Sequence, residues 1–246
     1  MGDNMNLHKK TPLIIIIAIL IGSIGLLYKS YGLIIHKEIT TINAAKTIKQ
    51  ASVKPVFIHK SVDSLNNIKI PILMYHSISY EKGNILRLPK VKFTSQMKYL
   101  KDNNYTTITL DELYSYMKTG GNLPSKPIVI TFDDGYKDNY TNAYPILKEF
   151  NQKATVFVIT NTIDYDQNYL TSKEIKLMDS NNVRIESHTS SHEHLDKISY
   201  IDSLNTMKNS KMKLEKILNR QIDYIAYPYG GYTLNTIKAA KQAGYK

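Results

Sequence analysis

The chain has 246 residues, 42% of them hydrophobic, enough to bury one sizeable core, so one main domain with appendages is the expectation. It contains no cysteine, which excludes disulfides and thiolate metal sites and leaves His and carboxylate side chains to hold any metal. The formal net charge of +11 suits nucleic acid or an anionic cell surface; because the lysines are scattered and no Arg-rich tract or nucleic-acid motif occurs, no nucleic-acid partner is expected.

Residues 1–10 are polar, end in Lys9-Lys10 and read as a cytoplasmic N-terminus. Leu13 to Leu27 is apolar and uncharged, and Tyr28 to Ile35 can extend it to membrane length with Lys29 snorkelling. No small-residue cleavage pattern follows, only Ser30-Tyr31-Gly32, so residues 11–35 read as an uncleaved signal anchor (a transmembrane segment). The expected location is the cell membrane with the remainder extracellular; secretion after signal cleavage is the alternative. Residues 36–67 are Lys- and Thr-rich without sustained apolar periodicity and read as a stalk, helical near Glu38–Gln50.

From Ile68 the pattern alternates between strand and helix. Strands are predicted at Ile68–Tyr75, Tyr105–Leu110, Ile128–Phe132, Ala154–Thr160, Val183–His188 and Ile222–Tyr227. Between them, Phe93, Met97 and Leu100 share one helix face, and Asp111 is expected to cap a helix carrying Leu113 and Met117. Tyr144, Leu147 and Phe150 form another face, followed by Ile175 and Met178. Leu204, Met207, Met212, Leu214, Ile217 and Leu218 belong to a longer helix, and a last one spans Asn235–Ala243. Six such alternations with short connections predict an α/β fold with a parallel sheet, closed into a barrel or nearly so.

Three stretches carry chemistry. Pro127 to Phe132 is an apolar strand that runs into Asp133-Asp134-Gly135, at the carboxyl end of a strand where α/β proteins keep their sites. Consecutive side chains on extended backbone point in opposite directions, so the two carboxylates can do different jobs. Alone, this is also a plain turn. Val183-Arg184-Ile185-Glu186-Ser187 runs into His188-Thr189-Ser190-Ser191-His192-Glu193-His194. With Asp134, His188 and His192 supply two imidazoles and a carboxylate, a three-ligand set with open positions. His194 has a spacing that suits neither ligand and reads as solvated loop. Ile225-Ala226-Tyr227-Pro228-Tyr229-Gly230-Gly231 ends a third strand in a turn on the same rim.

Together these residues resemble the polysaccharide deacetylase family, the NodB-homology domain of carbohydrate esterase family four. Thr131-Phe132-Asp133-Asp134-Gly135 matches its first motif and His188-Thr189-Ser190-Ser191-His192 its second. The resemblance covers residues 68–246 and implies a distorted (β/α) barrel of about seven units. It also implies Asp133 as general base and Asp134, His188 and His192 as ligands of a divalent metal: zinc first, with cobalt, nickel or manganese as alternatives. The Tyr229 backbone N–H is then the oxyanion donor, and Tyr227, Pro228, Tyr229 and Gly230 line the substrate. The Ala226-Tyr227-Pro228-Tyr229-Gly230 form and the Met74-Tyr75-His76 opening strand resemble the branch acting on poly-β-1,6-N-acetylglucosamine. Removal of N-acetyl groups from such a cell-surface glycan is the expected activity. Peptidoglycan or chitin oligomers are the rival substrates, and a catalytically impaired glycan-binding surface protein is the rival function. Two departures stand out. Ala226 occupies the neighbourhood where many members carry an arginine, and no late Leu-x-x-His precedes Lys246, so the last barrel strand is expected to be missing. His76, at the end of the first strand, could reach the same rim in place of that histidine.

Overall fold

The computed structural model describes Phe57–Ile58 and residues 69–246. The expected anchor at 11–35, and most of the expected stalk, lie outside the described residues. Among the described residues no helix is long and apolar enough to cross a membrane.

The elements run β1 (Phe57–Ile58), β2 (Ile72–Tyr75), α1 (Lys90–Asp102), β3 (Thr106–Thr107), α2 (Leu110–Thr119), β4 (Leu123–Pro124) and β5 (Pro127–Phe132). There follow α3 (Tyr144–Glu149), β6 (Ala154–Val158), α4 (Ser172–Asp179), β7 (Val183–Ser187), α5 (Tyr200–Leu218) and α6 (Leu234–Gln242). β2, β5, β6 and β7 form a parallel sheet in that order, and β3 also pairs with the start of β5 in parallel. This is the parallel α/β arrangement that the alternation predicts; the described residues show five such strands. β1, inside the segment read as a stalk, pairs antiparallel with β4.

β5 is central because both its faces are covered. Ile128, Ile130 and Phe132 pack with Phe93, Met97 and Leu100 of α1 and Leu147 of α3. Val129 faces the other way, onto Ile108, Tyr116 and Leu123. Tyr75, Phe93 and Phe132 meet with ring centroids 5.2–5.7 Å apart, in geometries aromatic pairs favour. Truncating Phe93 would cost about 3–5 kcal/mol.

Several local expectations are corrected. Asp111 does not cap α2. Thr109 does, in a reciprocal box with Glu112, because Thr-x-x-Glu satisfies two orphan N–H groups at once. Tyr116, not Met117, is the buried residue of that helix, and Met117 is 68% exposed. Met212 of α5 is also exposed. Ile222–Tyr227 does not form a strand but a single parallel bridge, Ile225 to Ser187. The N–H groups of Asp223 and Tyr224 donate instead to the buried Glu186 carboxylate (3.0 and 2.9 Å), which takes them out of any ladder. Before α3 the chain makes one π-helical turn, Asn139–Ala143, in which the Tyr144 N–H reaches back to the Asn139 carbonyl. Pro145 has no N–H with which to close the ordinary helical bond there.

Candidate metal and hydrolytic site

The parallel register brings the carboxyl ends of β5, β6 and β7 together, and backbone bonds lock them. Ile159 N–H donates to the Asp134 carbonyl (3.3 Å) and His188 N–H to the Val158 carbonyl (2.9 Å). The Ala226 N–H donates to the Ser187 carbonyl (3.0 Å). The two expected motif loops and the third segment thus form one rim.

Four non-glycine residues on this rim hold left-handed backbone: Asp134 (φ 73°), Thr189 (φ 67°), His192 (φ 59°) and Tyr229 (φ 59°). Such strain is characteristic of functional sites and persists only where the surroundings enforce it. Gly135 (φ 78°) lets β5 turn away sharply, since a Cβ there would lie 2.7 Å from Val158 Cγ1. Within the second loop, His192 N–H donates to Thr189 Oγ1 (3.1 Å), and Ser190 is tied to Thr206 of α5 by two bonds (3.0 and 2.9 Å).

Asp134, His188 and His192 converge as expected, each offering a ligand atom within 4.8 Å of the others. Both imidazole Nε2 atoms face Asp134 Oδ1, at 3.4 Å (His188) and 3.3 Å (His192). That oxygen is buried and without a hydrogen-bond partner, an arrangement that costs free energy unless something else satisfies it. His188 Nδ1 lies 3.0 Å from the Ala226 carbonyl, so Nδ1–H donates and Nε2 presents its lone pair. A divalent cation fits this donor set: two neutral imidazoles, one carboxylate, no thiolate.

Burial would raise the Asp134 carboxyl, but the adjoining His188 imidazole, with His192 and His76, outweighs it and holds Asp134 below its ordinary value. Burial also lowers His192, with neighbouring His188 acting in the same sense, which favours the neutral ligand form. Asp133 is buried next to them with Oδ1 unpartnered, and its N–H donates to the Tyr75 carbonyl (2.9 Å). Burial raises its carboxyl, opposed by the charges of His188 and His76. A cation at the ligand set would favour the carboxylate form of Asp133.

The chain from residue 120 to 246 matches the family model described as polysaccharide deacetylase. The chain belongs to the polysaccharide deacetylase family. It is 44% identical over 179 residues to the YxkH protein of Bacillus subtilis (strain 168), covering 72% of this chain and 63% of that protein. It is 33% identical over 203 residues to the poly-beta-1,6-N-acetyl-D-glucosamine N-deacetylase of Staphylococcus aureus (strain MSSA476), covering 76% and 67%. The chain thus spans about two thirds of the length of these curated relatives. Among solved structures it is similar to the Streptococcus pyogenes deacetylase PplD in complex with acetate, with 34% identity, a TM-score of 0.69, and 72% and 81% of the two chains covered.

The other expected residues of this polysaccharide deacetylase chain fall on the same rim. Tyr227 is half-buried against the core, Pro228 is buried, and Tyr229 and Gly230 form a turn in which Tyr229 is 64% exposed. His76 follows β2 directly and acts on the charges of Asp133, Asp134 and His192. Its carbonyl accepts from Asn139 Nδ2 (2.7 Å), while Ser77 Oγ and Ile78 N–H donate to Asp138 (2.6 and 2.8 Å). The π-helical turn therefore holds the His76 segment against the site.

Sequence reasoning set His194 aside. It is not a ligand, but its ring lies flat on Tyr229, 3.8 Å between centroids at 4°, while the His192 ring meets Tyr229 at 4.5 Å and 62°. One face of Tyr229 is thereby covered, so its edge and hydroxyl, rather than that face, are what a ligand meets. Tyr136 and Tyr169 were also missed. They stack at 5.1 Å beside Asp134, and burial together with the Asp134 carboxylate pushes both phenols upward. Tyr136 could have been found as the residue after Gly135; nothing in the sequence marks Tyr169.

Proposed function

We propose that this chain hydrolyses N-acetyl groups from an N-acetylglucosamine polysaccharide at the cell surface, with poly-β-1,6-N-acetylglucosamine as first choice of substrate. The observation that carries the reading is the convergence of Asp134, His188 and His192 on one unsatisfied oxygen beside the buried Asp133. The name of the Staphylococcus aureus relative supports the choice of glycan. On this reading the three ligands hold a divalent metal, zinc before cobalt, nickel or manganese, which supplies Lewis-acid polarisation of the acetamide carbonyl and the attacking water.

The chain's own residues do the rest. Asp133 takes a proton from the water as its oxygen bonds to the acetamide carbon. The Tyr229 N–H, aimed by the left-handed turn, donates to the oxyanion that forms. His76, at the carboxyl end of the neighbouring strand β2, gives a proton to the amine as the C–N bond breaks, and acetate and a free amino sugar leave. The same reading takes the sheet as part of a distorted barrel of about seven units. The apolar stretch at 11–35 would be a membrane anchor that keeps the domain outside the cell.

Acetate release from N-acetylglucosamine oligomers tests this, using the full chain with zinc, with a chelator, and as Asp133→Asn. Activity should be abolished by the chelator and restored by zinc. The Asp133→Asn variant should lose about 10²–10⁴-fold in kcat while retaining zinc. A variant as fast as the wild type would remove Asp133 from the role of base, and chelator-insensitive release would remove the metal.

A further inference from the structure

We infer that the π-helical turn at Asn139–Ala143 is the device that positions His76, with Asp138, Asn139 and Asn142 as positioning residues for proton delivery to the leaving amine. This rests on the deacetylase reading of the adjoining site, in which His76 is the proton donor.

The sheet by itself does not hold His76. The ladder between β2 and β5 ends with Tyr75 opposite Phe132, and its last bond runs from the Asp133 N–H to the Tyr75 carbonyl (2.9 Å). β5 then leaves through the Gly135 turn (φ 78°) and offers His76 no ladder partner. The same stretch of chain returns at once with side chains instead. Asn139 Nδ2 donates to the His76 carbonyl (2.7 Å), and Asn142 Nδ2 donates to the Ile78 carbonyl (2.9 Å). Asp138 accepts from Ser77 Oγ (2.6 Å) and from the Ile78 N–H (2.8 Å). These four bonds join positions 60 to 64 residues apart, so they are tertiary contacts and not local turn chemistry.

The turn is poorly explained by helix stability. Asn139 is 1% exposed, its Oδ1 has no hydrogen-bond partner, and asparagine is a weak helix former. π-helical turns recur at functional sites, and this one presents Asp138, Asn139 and Asn142 to residues 76–78. The far side of that segment is tied as well. Ser77 N–H donates to the Leu86 carbonyl (3.2 Å), the Ser77 carbonyl accepts from Leu88 N–H (2.9 Å), and Ile78 is fully buried. His76 is thus clamped through its main chain, with its imidazole close enough for its charge to act on Asp133, Asp134 and His192. One stretch, residues 133–142, therefore sets base, metal ligand and proton donor in a common frame. As the C–N bond breaks, its electron pair goes to nitrogen, which takes the His76 proton. Misplacing a reacting group by about 1 Å costs on the order of 10²-fold in rate.

The experiment compares two acetyl substrates on the zinc-loaded full chain. The amine of N-acetylglucosamine oligomers leaves only with a proton, whereas the phenolate of 4-nitrophenyl acetate leaves without one. His76→Ala should lower the amide-to-ester ratio of kcat about 10²-fold. Asn139→Leu keeps the side-chain size, removes the donor to His76 together with the unpartnered Oδ1, and should lower that ratio about tenfold or more. Asn142→Ala, at a half-buried position, should lower it about threefold or more and keeps the test open if the Asn139 variant does not fold. Zinc affinity by competition titration should stay within about threefold in both Asn variants, since neither side chain bonds a ligand. Carbethoxylation of His76, followed by peptide mass, reads the clamp without turnover and should be about threefold or more faster in Asn139→Leu. Where His76→Ala lowers the ratio, an unchanged ratio in both Asn variants overturns the positioning role, as does unaltered carbethoxylation. Where His76→Ala keeps the wild-type ratio, His76 is refuted as proton donor, and carbethoxylation alone decides the clamp. Absence of acetate release by the wild type refutes the deacetylase reading by itself.

Discussion

Replacing Gly135 with alanine probes how tightly the fold and the site are joined. At φ +78° an alanine pays left-handed strain of about 1–2 kcal/mol. Its Cβ would also sit 2.7 Å from Val158 Cγ1 and 3.3 Å from Val158 Cα. Val158 is buried in β6 and cannot swing into solvent, so relief of the clash requires main-chain movement, costing roughly 1–3 kcal/mol more. The expected loss is thus about 2–5 kcal/mol, read as a lower urea midpoint with an unchanged m-value. Val158→Ala alone removes two buried methyls, about 2 kcal/mol with its cavity. Together the new methyl partly fills that cavity, so the double variant should be more stable than additivity predicts by about 1–2 kcal/mol. Because the Val158 carbonyl also accepts the His188 N–H, Gly135→Ala should weaken zinc binding roughly 10–100-fold by competition titration. A Gly135→Ala loss below about 0.5 kcal/mol, or strictly additive effects, would refute this account of the turn.

Other outcomes follow from the same geometry. Removing the ring under Tyr229 by His194→Ala should lower kcat for acetate release about tenfold with zinc retained, and His194→Phe should restore it; equal loss in both variants would assign His194 a polar role. Glu174 is half-buried, which raises its carboxyl, but bonds from Lys137 and Thr171 outweigh this and hold it below its ordinary 4.5. A depressed carboxylate stabilises the fold above its unfolded pKa and loses that contribution as pH falls through the folded value, so Glu174→Gln should flatten the stability profile below about pH 5; an unchanged acid slope would refute it. Arg220 binds Asp179 and the buried Glu186, and Arg220→Met should cost about 3–5 kcal/mol in urea unfolding by stranding both carboxylates; a loss under about 1 kcal/mol would show that Glu186 is satisfied by its backbone donors alone.

How far the sequence can be read depends on where the determinant lies. β5 and its carboxylates were legible because an apolar run ending in Asp-Asp-Gly needs no partner to be recognised, and His188 and His192 because their loop follows a strand. The faces of α1 and α4 were legible from their periodicity. The misreading of Ile222–Tyr227 as a full strand has a non-local cause. Its N–H groups are claimed by Glu186, 37 and 38 residues away, and no local propensity reports that. Met117 and Met212 share the periodicity of their helices, but each helix meets the core over a narrower arc than its apolar residues suggest. His194 was passed over because spacing speaks to metal ligation, whereas its contact is with a tyrosine 35 residues on. Tyr169 needed the Tyr136 bridge to acquire meaning.

The absence of an arginine near Ala226 is explained by what this segment gives to the site. Its contribution to the candidate ligand set is main chain: the Ala226 carbonyl fixes the tautomer of His188, and the Ala226 N–H holds the end of β7. Neither bond depends on the side chain at 226. What keeps this backbone in place is Glu186, which takes the N–H groups of Asp223 and Tyr224 and is itself paired with Arg220 at 3.0 Å. The guanidinium that steadies the third segment thus acts from beneath the rim, through its backbone, and not from within the site. Asp133 is left with one buried oxygen without a hydrogen-bond partner, and its charge is opposed by burial and favoured by His188 and His76. On the proposed reading, ionisation of Asp133 is therefore tied to loading of the ligand set beside it. Burial pushes the Asp133 carboxyl upward, and a cation at Asp134, His188 and His192 would favour the carboxylate, the form that can accept a proton from water.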